Sequence, residues 1–199
     1  MKHRWQPVAS PKGTLLLLHG TGGDETSLLP VARDVTDEWN VLSVRGDVDE
    51  AGALRFFRRL REGVLDEDDL IERTDAFYDT LLEWSTQYDF SLRDVVLLGY
   101  SNGANFAANV LLQYPNALRG GILFHPMVPT RRHEAMPLDA TDVFLSAGTR
   151  DPLVPFAEAN ELAERFDDQG ARVQFHIEAG DHRLTYSEVD AAKRWLADL

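Results

Sequence analysis

The sequence predicts an α/β protein with one mainly parallel, twisted sheet and helices on both faces. Two observations support this fold class. Short apolar runs alternate with helical patterns along most of the chain, and no repeat, linker or low-complexity tract interrupts them. A chain of 199 residues is long enough to bury a sizeable core. We therefore expect a single domain over residues 1–199, with no room for a large cap domain.

The predicted elements follow from hydrophobic periodicity. A short edge strand is expected within His3–Ala9. Continuous apolar runs predict the remaining strands at Thr14–Leu18, Val41–Arg45, Asp94–Leu98, Gly121–Phe124, Asp142–Ser146 and Arg172–Ile177. Apolar residues recurring at helical spacing predict helices at Glu25–Val35, Glu67–Gln87, Asn102–Gln113, Phe156–Asp168 and Tyr186–Ala197.

The segment Asp47–Asp66 departs from this alternation. Long excursions in compact domains often cover a substrate site, so we expect residues 47–66 to do so. The segment also holds the only dense basic stretch of the chain. Phenylalanine and leucine interrupt that stretch, which favours one face of a helix over a phosphate-binding track; its basic residues are Arg55, Arg58, Arg59 and Arg61.

The most informative motif is Gly99-Tyr100-Ser101-Asn102-Gly103, which lies between an apolar strand and a helix-compatible segment. This is the layout of a nucleophile elbow, a sharp strand-to-helix turn that exposes a serine hydroxyl. Glycine suits the flanking positions because a β-carbon there would collide with the strand or the helix. The strand and helix on either side make a catalytic Ser101 the favoured interpretation over an ordinary turn.

A serine nucleophile needs a base, and the base needs an orienting acid. In proteins with this elbow the chain order is Ser, Asp or Glu, then His, each after a strand. Asp151 follows the strand Asp142–Ser146, and His182 follows the last strand. We therefore predict Asp151 and His182 as the partners of Ser101.

The other candidate acids and bases fit less well. Asp181 adjoins His182 and should point away from it, while Asp139 and Asp142 precede their strand at the wrong end of the sheet. His176 lies inside the last strand, and His19 comes too early in the chain. A further histidine, His125, ends a strand and borders the expected site, but a structural role is favoured for it.

A tetrahedral intermediate requires N–H donors for its oxyanion. One donor is expected from the amide of Asn102, the residue after the nucleophile. The glycine-rich run His19-Gly20-Thr21-Gly22-Gly23 follows the first long strand and would supply the second donor. Its spacing matches neither the phosphate-binding P-loop nor the dinucleotide fingerprint.

With these motifs in order, the chain resembles the phospholipase/carboxylesterase family of α/β-hydrolases over essentially its whole length. Arg45-Gly46-Asp47, Arg55-Phe56-Phe57-Arg58-Arg59 and Glu62-Gly63 resemble most a subgroup of bacterial hydrolases found with hydroquinone- and quinone-detoxification genes. The resemblance implies Ser101, Asp151 and His182 as a catalytic triad, with the amides of Thr21 and Asn102 as the oxyanion hole. The family's thioesterase branch usually has glutamine where Asn102 stands and leucine where Thr21 stands.

The substrate pocket is expected to include Phe56, Met127 and Leu153, with Val154 beside them, and to favour a small apolar acyl or aryl group. The leading function is a serine carboxylesterase that acts on small carboxylic or aryl esters through an acyl-enzyme. An acyl thioesterase or lysophospholipase is the alternative, and a non-catalytic sensor of the same fold is a third. No cofactor and no metal are expected, because paired metal ligands such as H-E-x-x-H are absent.

Composition narrows the partners and the chemistry. The chain has no cysteine, which excludes disulfides, thiolate metal sites and a cysteine nucleophile; for that last reason we do not expect a dienelactone hydrolase. Acidic residues outnumber basic ones by 33 to 20, so we expect no binding to nucleic acid or anionic membranes. We expect a small-molecule ester substrate and a cytoplasmic location. The sequence does not determine whether the protein forms a homodimer.

Lysine occurs only at Lys2, Lys12 and Lys193, and the net charge is −13. This balance fits a high-salt cytoplasm, where counterions screen self-repulsion, or an acidic protein of an ordinary cytoplasm. The high-salt interpretation predicts that molar KCl raises the melting temperature, measured by thermal unfolding with and without the salt. A melting temperature unchanged or lowered by KCl would refute it and leave the enzyme assignment intact.

Overall fold

The computed structural model describes residues 1–199 and is built around a seven-stranded sheet. The strand order is β1-β3-β2-β8-β9-β10-β11, in which β1 is antiparallel to β3 and the other neighbours are parallel. These strands are β1 His3–Gln6, β2 Thr14–Leu18, β3 Asn40–Val44, β8 Val95–Tyr100, β9 Gly120–Phe124, β10 Asp142–Gly148 and β11 Arg172–Glu178. The predicted mainly parallel sheet is confirmed.

Helices cover both faces of the sheet. They are α1 Leu29–Val35, α2 Glu67–Tyr88, α3 Asn102–Gln113, α4 Phe156–Asp168 and α5 Tyr186–Ala197, with a 3₁₀ turn at Leu92–Asp94. Apolar residues of α2, α3 and α4 pack on one face, and those of α1 and α5 pack on the other. Alternate leucines of β2 enter these two cores, as the pleat of a strand requires. None of the helices has the length and apolar character that crossing a bilayer requires.

The first helix is shorter than the sequence predicts. It begins at Leu29 rather than Glu25, and Pro30 occupies its first turn, where proline is well tolerated. The preceding residues form a turn in which the Asp24 carboxylate accepts hydrogen bonds from the backbone N–H and hydroxyl of Thr26. This local side-chain bonding competes with helix formation at Asp24–Leu28.

The predicted helical face for the arginine cluster is wrong. The excursion 47–66 forms two antiparallel hairpins, the first from β4 Val48–Glu50 and β5 Ala53–Arg55. The second pairs β6 Arg59–Arg61 with β7 Val64–Leu65. Ala51 and Gly52 have φ values of 54° and 89°, which suits the two-residue turn of a hairpin. Arg55, Arg59 and Arg61 therefore lie on short strands, and Arg58 lies between the two hairpins.

The parallel sheet brings the candidate site residues together at one of its edges. Because β2, β8, β9, β10 and β11 run parallel, their carboxyl ends meet at the same edge. The residues that follow these strands include, respectively, Thr21, Ser101, His125, Asp151 and His182. Open α/β sheets bind ligands at this edge. Candidate groups from five distant segments are brought together there.

Candidate active site

Ser101 lies on a strained turn between β8 and α3. Its φ of 52° and ψ of −114° fall where residues with a side chain are rarely found. A β-carbon on Gly99 would lie 2.5 Å from the carbonyl oxygen of Gly103, and one on Gly103 would lie 2.0 Å from that of Leu18. Close packing thus explains both glycines, and the turn presents the Ser101 hydroxyl at the sheet edge.

The structure brings Ser101, His182 and Asp151 into one hydrogen-bonded row. His182 Nε2 lies 2.9 Å from Ser101 Oγ, and His182 Nδ1 lies 2.6 Å from Asp151 Oδ2. With the Nδ1–H donated to the carboxylate, Nε2 has a lone pair free to accept the serine proton. Tyr100 donates its hydroxyl to the carbonyl oxygen of His182 at 2.7 Å, which fixes the histidine backbone. Sequence reasoning had not assigned this role to Tyr100.

Asp151 is held as a carboxylate by its own loop. Its Oδ1 accepts hydrogen bonds from the N–H groups of Leu153 at 2.8 Å and Val154 at 3.0 Å. Burial alone would raise the pKa of Asp151, but these amides and His182 lower it below the ordinary value. The rival acids lie elsewhere, as expected: Asp181 pairs with Arg183, and Asp142 pairs with Arg172 at the opposite end of β10.

Two backbone amides near Ser101 are free to bind an oxyanion. Asn102 is the first residue of α3, so its N–H has no acceptor within the helix. The N–H of Thr21 donates to no protein atom. His19 supports the Thr21 loop, since its Nδ1 lies 2.7 Å from the Gly20 carbonyl and its Nε2 accepts from the N–H of Gly46 at 2.9 Å. This hydrogen-bond pattern requires a neutral imidazole. Burial lowers the pKa of His19, which favours that neutral form.

A second buried histidine stands behind Asp151. His125 is fully buried, with Nδ1 3.3 Å from Asp151 Oδ2 and Nε2 2.9 Å from Glu188 Oε1. Glu188 also accepts a hydrogen bond from the Ser146 hydroxyl at 2.7 Å. The His182 and Tyr100 rings lie against the other sides of His125. The place of His125 at the end of β9 had signalled its nearness to the site, but nothing in the sequence pointed to Glu188.

This network links ionisation to stability. Burial would lower the pKa of His125, but Glu188 and Asp151 raise it above the ordinary value. Burial would likewise raise the pKa of Glu188, yet His125 and Ser146 lower it. The stabilising contribution of His125 is therefore complete below about pH 6.5 and is lost as the pH rises through its raised pKa. The stabilising contribution of the Asp151 and Glu188 carboxylates is present above about pH 4 and is lost as the pH falls through their lowered pKa values.

The cleft beside Ser101 has a volume of about 310 Å³. Of the predicted pocket residues, Met127 and Leu153 line it, together with Val154. The prediction for Phe56 is wrong. Its side chain points away from the cleft into the core, where it stacks on Phe106 with ring centroids 5.3 Å apart, and its exposure is 1%.

The lining is more polar than the sequence suggested. Polar and charged residues of the hairpins and the elbow contribute much of it: Arg55, Arg59, Glu62, Ser101, Asn102 and Asn105. Residues of the segment 47–66 thus line the cleft. Arg55 is the residue that the sequence analysis missed here, because the short strand β5 was not predicted.

His125, Asp151 and His182 also bring three groups of metal-ligand type together. The His182–Asp151 separation of 2.6 Å is a hydrogen-bond distance. Two tetrahedral zinc ligands at about 2.0–2.1 Å from the metal would stand roughly 3.3 Å apart. In this arrangement the three groups serve one another as donors and acceptors.

Glu188→Gln tests the buried network. Glutamine can retain the capping box that Glu188 forms with Thr185 at the start of α5, while its amide group removes the charge and the acceptor that face His125 and Ser146. We expect a loss of about 1–3 kcal/mol in the free energy of unfolding near neutral pH, because the interaction of His125 with the buried carboxylate is lost. We also expect the variant to lose the decline in stability that the wild type shows as the pH rises through the raised pKa of His125. Urea unfolding at several pH values measures both effects.

The matched control is Glu38→Gln, which removes an exposed carboxylate paired with Lys12. It should change stability little and leave the pH dependence as in the wild type. Equal alkaline declines in the wild type and Glu188→Gln would contradict the proposed charge on His125.

Comparison with solved structures places the fold among bacterial hydrolases. The crystal structure of the Bacillus cereus carboxylesterase superposes with a TM-score of 0.96 and 48% identity, covering 100% of this chain and 94% of that chain. The structure of YahD with malic acid gives a TM-score of 0.93 and 31% identity, covering 99% and 98%. Putative hydrolase MhqD of Bacillus subtilis strain 168 is 43% identical over 195 residues, which are 98% of this chain and 97% of that protein.

The model of the dienelactone hydrolase family matches residues 49–187, a range that contains the elbow, Asp151 and His182. The expectation that the chain falls outside that family is therefore wrong. Lack of cysteine excludes a cysteine nucleophile, but the family match extends over a segment in which serine occupies the elbow. The relatives also confirm the resemblance to carboxylesterases. The chain belongs to the dienelactone hydrolase family and is a serine hydrolase of the α/β-hydrolase fold, related to bacterial carboxylesterases.

Proposed function

We propose that the protein is a carboxylesterase that hydrolyses small carboxylic or aryl esters with Ser101, His182 and Asp151 as its catalytic triad. The observation that carries the proposal is the row Ser101 Oγ–His182 Nε2 and His182 Nδ1–Asp151 Oδ2, at 2.9 and 2.6 Å. These distances match the reach that a nucleophile, its base and the orienting acid need.

The chemistry follows from this arrangement. His182 takes the Ser101 proton as Oγ attacks the ester carbonyl, and Asp151 stabilises the imidazolium that forms. The amides of Thr21 and Asn102 bind the oxyanion of the tetrahedral intermediate, each being worth roughly 3–4 kcal/mol. His182 then donates its proton to the leaving alcohol. Water, activated by the same imidazole, hydrolyses the acyl-enzyme and restores Ser101.

The cleft favours small substrates. Its volume of about 310 Å³ lies at the low end of ligand pockets, and charged and polar side chains interrupt its apolar lining. These charged side chains disfavour the long acyl chain of a lysophospholipid or a long acyl thioester, which needs a continuous apolar surface. Malic acid, found in the YahD structure, is likewise a small molecule. A non-catalytic sensor is disfavoured because nucleophile, base, acid and free oxyanion donors are all present.

Short p-nitrophenyl esters test the proposal. We expect the purified protein to hydrolyse them, and Ser101→Ala to lower kcat by about 10⁴-fold or more. Ser85→Ala is the control, because that half-buried serine lies on α2, away from the cleft, and its hydroxyl bonds only to the Leu82 carbonyl. It should retain wild-type activity.

Retained activity in Ser101→Ala would count against the triad. A series of esters and acyl-CoA thioesters of increasing chain length separates ester hydrolysis from the alternative. Preference for long chains or for thioesters would contradict the assignment to small esters.

A further inference from the structure

The cleft contains a buried guanidinium that ester hydrolysis itself does not need. Arg55 is the last residue of β5, its side chain is 5% exposed, and it lines the cleft next to Thr21. A buried arginine is costly unless its donors and its charge are satisfied. Any donor or charge of Arg55 that protein atoms leave unsatisfied therefore indicates what a ligand would supply.

Protein atoms accept hydrogen bonds from only some of the N–H groups of Arg55. Nε donates to the Phe57 carbonyl at 3.2 Å, and Nη1 donates to Thr21 Oγ1 at 2.5 Å. The centre of the group also lies 5.8 Å from the centroid of the Phe57 ring, which restricts its orientation. Nη2 donates to no protein atom. Arg55 is thus held in one orientation with a donor left over.

The charge of Arg55 is also incompletely balanced. Its nearest carboxylate is Glu50, with Oε2 at 3.6 Å from Arg55 Nε, but Oε1 of the same side chain lies 2.8 Å from Arg59 Nε. Two guanidinium groups therefore share one carboxylate. The acidic residue that lines the cleft, Glu62, is exposed and forms no ion pair, so solvent screens it. Burial and Arg59 lower the pKa of Arg55, whereas Glu50 opposes them.

We propose that Arg55 and Arg59 form a subsite for a carboxylate carried by the substrate, so that the preferred substrates are small esters with a free carboxylate. The inference rests on the proposed function and deepens it. The planar fork of arginine matches a carboxylate. Thr21 joins the two sites, since its hydroxyl binds Arg55 and its amide is proposed to bind the oxyanion. One small molecule therefore spans both.

Two pairs of esters test the subsite and show which side of the ester bears the carboxylate. Monomethyl succinate against methyl succinamate places the carboxylate, or its neutral amide isostere, on the acyl side. Acetoxyacetate against acetoxyacetamide places it on the alcohol side. We expect kcat/KM for the anionic member of at least one pair to exceed that of its neutral partner by about tenfold or more. Equal values within both pairs would overturn the subsite.

Arg55→Gln should raise KM for the favoured anionic ester by about tenfold or more and change the neutral partner little. Arg59→Gln should also reduce the preference for the anionic ester, because Glu50 then neutralises the charge of Arg55 alone. This substitution serves as the second variant if Arg55→Gln fails to fold. Arg61→Gln is the matched control, since Arg61 is exposed on the same hairpin and lies outside the cleft. An equal loss on both members of a pair in Arg55→Gln and Arg59→Gln would show that the arginines only support the fold.

Binding to the inactive protein separates this inference from the proposed function. Calorimetry with succinate and Ser101→Ala is expected to detect binding that the Arg55→Gln/Ser101→Ala protein loses. Succinate binding without hydrolysis of any ester would leave the subsite in place and refute the esterase. Hydrolysis of neutral esters, with no succinate binding and no preference for anionic esters, would support the esterase and refute the subsite.

Discussion

The strained backbone of Ser101 is the constraint on which the site depends. A φ of 52° at a residue with a side chain costs free energy, and close packing maintains it. Gly103 lies against the Leu18 carbonyl of β2, and Gly99 lies against the first turn of α3. The same contacts bring the start of α3 beside the Thr21 loop. The strain therefore positions the hydroxyl and the Asn102 amide of the proposed oxyanion hole together.

The parallel sheet supplies the remaining groups, and buried polar bonds position them. Asp151 is oriented by two amides of its own loop, and His182 by Asp151 and Tyr100. Behind them, His125 and Glu188 add a buried pair that lies outside the cleft. Because Ser101, His125, Asp151 and His182 follow four different strands, an error in any one strand register would move a member of the site by several ångströms. Stability of the sheet and geometry of the site are thus coupled.

Much of this arrangement is predictable from local sequence, and the rest fails for identifiable reasons. Ser101, Asp151 and His182 stand out because each follows a strand in the chain order that the elbow implies. The hairpins of 47–66 were missed because their strands are only two or three residues long. β5 ends at Arg55, which points to the cleft, and the chain then bends so that Phe56 and Phe57 enter the core. The pairing of His125 with Glu188 joins distant segments, and no spacing rule indicates it.

Covalent labelling tests most directly whether His182 activates Ser101. A fluorophosphonate reacts with an activated serine, and peptide mass spectrometry then locates the modified residue. Our account predicts labelling of the wild type at Ser101 and its loss in His182→Ala, with the folded state of that variant verified by circular dichroism. Modification at another serine, or undiminished labelling of Ser101 in His182→Ala, would contradict it.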